Sequence, residues 1–239
     1  MAKQGQIQEV QLYSKELEED ITLLIYLPSN FSTLYKYHVL IAQDGKDYFQ
    51  LGRIGRVVDE LHNQLTDTII VGIPYTSVQN RREKYHPSGS QNAKYIRFLA
   101  HELVPFIDKE YPTYQMGLTR GLIGDSLGAT VSLMTALKYP HTFGKVMLQS
   151  PLVNEDVLTA VENFSNYHLL EIDHIIGSEE TAVKTTNDTI EDFLTPNREL
   201  SKMLRASNAD YFYEEFNGDH TWKYWQPLLG KILLRMFSS

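Results

Sequence analysis

A pentapeptide of the form G-x-S-x-G, Gly124-Asp125-Ser126-Leu127-Gly128, lies near the middle of the 239-residue chain. A serine at the centre of this pattern can occupy a sharp turn between a strand and a helix, where its hydroxyl is exposed as a nucleophile. The flanking glycines lack a Cβ, so the chain can pass close to its neighbours at such a turn. The backbone amide of Leu127 would then point at the oxyanion formed when the serine attacks a carbonyl carbon. The pattern predicts acyl-transfer chemistry at Ser126, with a glycine-rich turn and an idle serine as the alternative.

The residues around the pentapeptide favour the strand, turn and helix that a nucleophilic serine requires. Leu122 and Ile123 precede it and can end a buried strand. The residues from Ala129 to Leu137 have the apolar spacing of a buried helix, which stops before Pro140. The local sequence therefore places Ser126 at the junction of the two elements.

A serine hydroxyl is a weak nucleophile at its ordinary pKa and needs a base, usually a histidine. The chain contains eight histidines, and most of them fall on predicted strands or helices. His220 differs, because it follows the last predicted strand in a glycine-containing turn and comes after Ser126, as the base does when the chain order is serine, acid, histidine. His220 is therefore the predicted base, and His86, in a polar segment, is kept as a candidate substrate contact.

The third member of such a site is a carboxylate that orients the imidazole and stabilises its cation. It should follow a strand between Ser126 and His220, and the segment Gly177-Ser178-Glu179-Glu180 follows the strand predicted over residues 168–176. Local pattern does not choose between Glu179 and Glu180. Asp219 is a weaker candidate, because adjacent side chains seldom converge. Metal binding has little support, since the sequence has no H-E-x-x-H motif and no other close histidine pair at ligand spacing.

Strands and helices alternate along the rest of the chain. Besides the strand ending at Ile123, strands are predicted at residues 7–13, 21–27, 37–42, 68–73, 145–149, 168–176 and 210–216. Besides the helix after Ser126, helices are predicted at residues 48–65, 93–111, 198–206 and 222–237. Residues 75–92 are polar and charged and are predicted to form a long loop. This alternation indicates an α/β fold with a mainly parallel sheet, an antiparallel N-terminal hairpin and helices on both faces.

Composition narrows the class of protein. The net charge of −8 argues against binding to nucleic acid or anionic membranes, and the absence of cysteine excludes disulfides, thiol nucleophiles and thiolate metal sites. The polar segment Met1 to Val10 lacks the apolar core of a signal peptide, and no run of eighteen apolar residues occurs. We expect a cytoplasmic protein with one domain over residues 1–239, no large lid, no metal and no cofactor. The oligomeric state is left open.

Several further motifs together resemble the putative esterase family, which includes esterase D, enterochelin-type esterases, feruloyl esterases and the antigen 85 mycolyltransferases. The match covers nearly the whole chain. The residues that carry it are the N-terminal hairpin with Leu27-Pro28, Asp44-Gly45, Asn80-Arg81, residues 102–107, residues 122–128, Ser150-Pro151, residues 177–180, residues 218–222 and Trp225.

The resemblance implies an α/β-hydrolase fold and gives each site residue a role. Ser126 would be the nucleophile, His220 the base, and the acid would be the third residue after Gly177, which is Glu180. The oxyanion hole would consist of the backbone amides of Leu127 and of Lys46, the residue after Asp44-Gly45.

Three positions depart from the family pattern. Asp125 stands where members often have histidine, Ala129 replaces a second glycine, and the acid is glutamate where aspartate is common. The first two changes bear on substrate preference, and Asp125, Arg81 and Trp222 are the candidate pocket residues. The expected function is that of a serine carboxylesterase that cleaves small-molecule acyl esters through an acyl-enzyme. The alternatives are an acyltransferase or thioesterase using the same site, peptide-bond hydrolysis, and a non-catalytic binding module on a hydrolase scaffold.

Overall fold

An eight-stranded sheet with the strand order β1-β2-β4-β3-β5-β6-β7-β10 forms the centre of the computed structural model. The structure describes residues 4–238, so residues 1–3 and 239 of the expected domain lie outside the described residues. The strands are β1 Gln6–Ser14, β2 Glu19–Leu27, β3 His38–Gln43, β4 Thr68–Ile73, β5 Arg120–Asp125, β6 Lys145–Gln149, β7 Glu171–Gly177, β8 Val183–Lys184, β9 Ile190–Glu191 and β10 Asp210–Phe216.

The sheet is mostly parallel. The pairs β4–β3, β3–β5, β5–β6, β6–β7 and β7–β10 are all parallel, whereas β1 pairs antiparallel with β2 and β2 antiparallel with β4. Every residue of β4, β5 and β6 is buried, which explains why these strands are apolar runs rather than alternating patterns. The predicted parallel sheet with an antiparallel N-terminal hairpin is confirmed.

Helices cover both faces of this sheet. They are α1 Gly45–Gln50, α2 Ile54–Glu60, α3 Val78–Tyr85, α4 Asn92–Phe98, α5 Val104–Glu110, α6 Leu127–Lys138, α7 Glu155–Glu162, α8 Leu194–Ala206 and α9 Trp222–Phe237. One hydrophobic cluster joins buried residues of α3 to α8 to one face of the sheet. A second cluster joins α1, α2 and α9 to the other face. The arrangement is that of an α/β-hydrolase fold, and it places the carboxyl ends of β3, β5 and β7 along one edge.

Three helical segments differ from the prediction. The helix predicted over residues 48–65 is two short helices, α1 and α2, because the chain turns between them at Arg53, whose φ is 52°. The predicted loop at 75–92 contains α3, whose first turn is capped by Ser77 accepting a hydrogen bond from the Asn80 amide. The helix predicted over 93–111 comprises α4, a π-helical turn at Leu99–Leu103 and α5. Among residues 4–238, no helix combines the length and apolarity that a membrane crossing requires.

Candidate active site

Ser126 occupies the sharp turn that the pentapeptide predicts. It follows β5 directly and precedes α6, with φ 53° and ψ −124°, a conformation that costs a non-glycine residue about 1–3 kcal/mol. The surrounding backbone holds it there, because the Ser126 amide donates to the Gln149 carbonyl at 2.9 Å. At Gly124, a Cβ would lie 2.2 Å from the Gly128 carbonyl carbon, so the strand and the first turn of α6 can meet only if this residue is glycine.

Glu180 is a buried carboxylate that faces His220. Its Oε2 lies 2.6 Å from His220 Nδ1, and its Oε1 accepts hydrogen bonds from Ser150 Oγ at 2.6 Å and from the Gly177 amide at 2.8 Å. Glu180 is fully buried, whereas Glu179 is exposed. The structure therefore brings Glu180, and not Glu179, to the imidazole.

The hydroxyl of Ser150 is itself fixed. It accepts a hydrogen bond from Trp225 Nε1 at 3.0 Å while donating to Glu180. One carboxylate oxygen of Glu180 is thus occupied by two donors, and the other is left for His220. The Ser150-Pro151 motif was visible in the sequence, but this role of the serine was not, because it depends on Trp225, 75 residues away.

His220 is held between two aromatic rings. The centroid of its ring lies 4.4 Å from that of Phe193 and 4.9 Å from that of Trp225. With Nδ1 protonated and donating to Glu180, Nε2 is an acceptor. His220 and Ser126 line the same two cavities. Within residues 4–238 the Ser126 hydroxyl is not among the hydrogen-bond partners of the imidazole, and such bonds are often long until substrate binds.

The segment after β3 lies beside the serine turn, because β3 and β5 are parallel neighbours. Asp44 has a φ of 53°, and Gly45 touches β4 so closely that a Cβ would lie 2.3 Å from the Gly72 carbonyl carbon. Lys46 follows in the first turn of α1, and Leu127 is the first residue of α6. Amides in the first turn of a helix have no partner within the helix, so both are available to a ligand oxygen.

Arg81 joins this segment to the serine turn. Its Nε lies 2.9 Å from Asp44 Oδ1 and its Nη2 lies 2.6 Å from Asp44 Oδ2, while Nη2 also donates to the Asp125 carbonyl at 3.2 Å. The guanidinium lies 5.8 Å and 5.5 Å from the ring centroids of Tyr75 and Tyr85. The sequence suggested Arg81 as a pocket residue, and it does line the cavities, but most of its donors are directed at the protein.

Asp125, the residue before the nucleophile, has an unusual environment. It is only 8% exposed, and its Oδ1 has no hydrogen-bond partner among the described residues. Burial, with a further contribution from the charge of Asp44, raises the pKa of Asp125 to about 8, although Arg81 opposes the shift. The carboxyl group of Asp125 therefore loses its proton at a higher pH than an ordinary aspartate.

Two cavities meet at Ser126 and His220. The first lies against the β8–β9 hairpin and is lined on its apolar side by Leu127, Leu152, Val183 and Phe193. The second is lined by Asp47, Tyr75, Asp125 and Trp222 among others. Trp222, a candidate pocket residue, lines this second cavity. The hairpin and Phe193 were missed, because two-residue strands in a polar stretch give no periodic signal.

The comparisons with known proteins agree with this architecture. The model of the family described as "Putative esterase" matches residues 14–236. The chain is 57% identical to the uncharacterized protein YjcH of Bacillus subtilis (strain 168), over 98% of each chain. It is 24% identical to an acetyl esterase of Caldicellulosiruptor saccharolyticus, over 93% of this chain and 95% of that one.

Solved structures show the same fold. A ferulic acid esterase superposes with a TM-score of 0.81 over 98% of both chains, at 18% sequence identity. The family model covers most of the chain, including the serine turn and the segments that carry His220 and Glu180. The chain therefore belongs to the Putative esterase family and is a carboxylic ester hydrolase.

Proposed function

We propose that this protein is a serine carboxylesterase acting on small-molecule acyl esters, with Ser126 as nucleophile, His220 as general base and Glu180 as the acid. The observation that carries the proposal is the buried Glu180 carboxylate 2.6 Å from His220 Nδ1, with its other oxygen held by Ser150 and Gly177. A carboxylate fixed in this way has one oxygen free to bond the imidazole, and through it the carboxylate orients the ring and stabilises its cation.

In the first step, His220 Nε2 takes the proton of the Ser126 hydroxyl as Oγ attacks the carbonyl carbon of the ester. The carbonyl oxygen becomes an oxyanion, which accepts hydrogen bonds from the amides of Leu127 and Lys46. Donors of this kind stabilise the transition state by roughly 3–4 kcal/mol each when they are preorganised. The backbone contacts that fix the serine turn and the segment after β3 supply that preorganisation.

The tetrahedral intermediate then collapses. The bond to the alcohol oxygen breaks, His220 gives the proton to the departing alkoxide, and the acyl group remains as an ester on Ser126. A water molecule takes the place of the alcohol, gives its proton to His220 and attacks the acyl carbon. The carboxylic acid leaves, and Ser126 regains its proton. Transfer of the same acyl group to a second alcohol would use every one of these residues.

We also propose that the chain works as one domain. The two hydrophobic clusters lie on opposite faces of a single sheet, and the site residues come from segments spread over most of the chain. The segment that covers the site is short. It consists mainly of the β8–β9 hairpin and its connections, from Thr181 to Asp192, which lie against the first cavity.

The test is hydrolysis of p-nitrophenyl acetate by purified protein. Wild type should turn the ester over, and Ser126→Ala should lose about 10³-fold or more of kcat. Ser165→Ala, at an exposed serine in the loop after α7, is the matched control and should retain activity. Equal activity in Ser126→Ala and wild type would contradict the nucleophile assignment.

A further inference from the structure

The second cavity has a composition that ester hydrolysis itself does not require. It combines three aspartates with aromatic side chains around Ser126 and His220 in an open cleft, whose space of about 770 Å³ includes solvent outside the surface. Its lining residues of these two kinds are Asp44, Asp47, Asp125, Tyr75, Trp222 and Trp225.

Carboxyl groups outnumber arginine and lysine side chains in the lining of this cavity. Arg81 is the only arginine or lysine among the described residues that line it, and its guanidinium is engaged by both oxygens of Asp44. Asp47 and Asp125 form no ion pair within residues 4–238. The pKa of Asp47 is also raised, first by burial and then by the charge of Asp44. Two carboxyl groups therefore lie beside the catalytic serine without a cation of their own.

The environment of Asp125 is the more direct indication that the cavity binds a ligand. More than nine-tenths of the residue is buried, it lines the cavity, and its Oδ1 has no partner among the described residues. A buried polar atom without a partner destabilises the fold. An asparagine or a serine at the same position would avoid the repulsion from Asp44. The carboxyl group therefore fits a role in binding better than a role in stability.

The surroundings favour an organic ammonium group over a metal ion. Within residues 4–238 no three carboxylate or imidazole side chains converge as metal ligands. Tyr75 and Trp222 instead present aromatic surface beside the carboxyl groups. Aromatic faces with a nearby carboxylate are the environment that quaternary and protonated ammonium groups bind.

We propose that this cavity binds a cationic ammonium group carried by the ester substrate, with Asp125 and Asp47 as its counter-charges and Tyr75 and Trp222 as its aromatic walls. The inference rests on the proposed esterase function, since Ser126 and His220 border the same cavity. The preferred substrates are then esters with an ammonium group in the alcohol or in the acyl part.

Two pairs of isosteric esters test this directly. Acetylcholine and 3,3-dimethylbutyl acetate differ only in the charge of the alcohol part. The methyl ester of trimethylammonioacetate and methyl 3,3-dimethylbutanoate differ in the charge of the acyl part. Because the ammonium group also activates the ester bond, the kcat/KM ratio of each pair is divided by the ratio of its hydroxide-catalysed rates. In at least one pair, kcat/KM should favour the cation by about 10-fold or more, the range of a desolvated cation–π contact together with a carboxylate. Asp125→Asn should reduce this ratio several-fold, whereas Glu199→Gln, which removes an exposed charge on α8, should leave it unchanged.

The ratio of kcat/KM for the cationic ester to kcat/KM for its neutral partner should also depend on pH. The ionised form of Asp125 binds the cation better, so the preference should rise as the pH increases from 6 to 9, through the Asp125 pKa of about 8. The other titratable or charged groups facing Asp125 are Asp44, Asp47, Tyr48, Tyr75, Arg81 and His220. A change in the protonation of His220 affects both members of a pair in the same way and cancels in the ratio.

The outcomes separate the two proposals. Hydrolysis of p-nitrophenyl acetate without a preference for the cation in either pair would overturn the cation site and leave the esterase function standing. If no ester is turned over, calorimetry with tetramethylammonium tests the cavity alone. Binding to wild type and to Glu199→Gln, weakened in Asp125→Asn, supports the site, and no binding to wild type overturns it.

Discussion

Replacing Glu180 with glutamine is expected to reverse the hydrogen bond that orients His220. The Gly177 amide can only donate, and it lies 2.8 Å from Glu180 Oε1. Ser150 Oγ accepts a hydrogen bond from Trp225 Nε1 and donates its own proton to Oε1. In the glutamine variant both donors therefore hold the side-chain amide oxygen at the place of Oε1. The NH₂ group must then take the place of Oε2, 2.6 Å from His220 Nδ1.

An NH₂ group at that position can only donate to His220. Nδ1 then becomes the acceptor and the ring proton moves to Nε2, the nitrogen that should accept the proton of Ser126. The negative charge that stabilises the imidazolium is lost as well. The wrong tautomer and the missing charge together lower kcat by roughly 10²- to 10⁴-fold in comparable triads, equivalent to about 3–5.5 kcal/mol of transition-state stabilisation. KM should change little, because the substrate does not contact Glu180.

The assay is steady-state hydrolysis of p-nitrophenyl acetate by Glu180→Gln and by Glu179→Gln. The second variant removes the same charge from the neighbouring exposed residue and should change kcat only a few-fold. Circular dichroism and urea unfolding verify that both variants fold. A Glu180→Gln enzyme within a few-fold of wild type would refute the role of Glu180, and a selective loss in Glu179→Gln would place the acid one residue earlier.

Three further outcomes follow from the same contacts. Arg81→Met should lower the free energy of unfolding by about 3–5 kcal/mol, because it leaves the buried Asp44 carboxylate unpaired; adding Asp44→Asn should restore part of the loss, and a urea midpoint unchanged in Arg81→Met would contradict the pairing. Asp125 has a folded pKa of about 8 against an ordinary value of 3.8, so as the pH rises the unfolded state loses this proton first. As the pH rises from about 4 to 8, the titration of this group therefore lowers the free energy of unfolding by up to roughly 1.4 kcal/mol per pH unit. Asp125→Asn should remove that slope in urea unfolding at pH 5, 6.5 and 8, and parallel profiles would count against the shift. Finally, the small first cavity should favour short acyl chains, so kcat/KM should fall from p-nitrophenyl acetate to the dodecanoate, and a steady rise would argue against that cavity as the acyl site.

The local part of the site was predictable from sequence. The glycines around Ser126 and the apolar runs on either side specify a strand, a turn and a helix through short-range geometry alone. The last strand and the helix after His220 also have clear periodicity, and both are found at the predicted residues, Asp210–Phe216 and Trp222–Phe237. Elements of this kind are predictable because a segment of ten to twenty residues contains the whole periodic pattern of their buried side chains.

The remaining features depend on contacts between distant segments. Glu179 and Glu180 were equivalent in local pattern, and the family resemblance selected Glu180; its contacts with Ser150 and His220 span 30 and 40 residues. The sequence pattern predicts a loop where helix α3 forms, because this helix is largely polar and buries only Lys84 and Tyr85. Its residue Arg81 is paired with Asp44, 37 residues away. Sequence periodicity carries no information about such pairs.

Covalent labelling with diisopropyl fluorophosphate tests the central claim most directly, since the reagent reacts much faster with a serine activated by a base in a preorganised oxyanion site than with an ordinary serine. Intact-mass and peptide mass spectrometry should find one diisopropylphosphoryl group, on the peptide that contains Ser126. Ser126→Ala should remain unlabelled, and labelling of Glu180→Gln should be slower than that of Glu179→Gln. No adduct on wild type, or the same adduct on wild type and Ser126→Ala, would contradict the account.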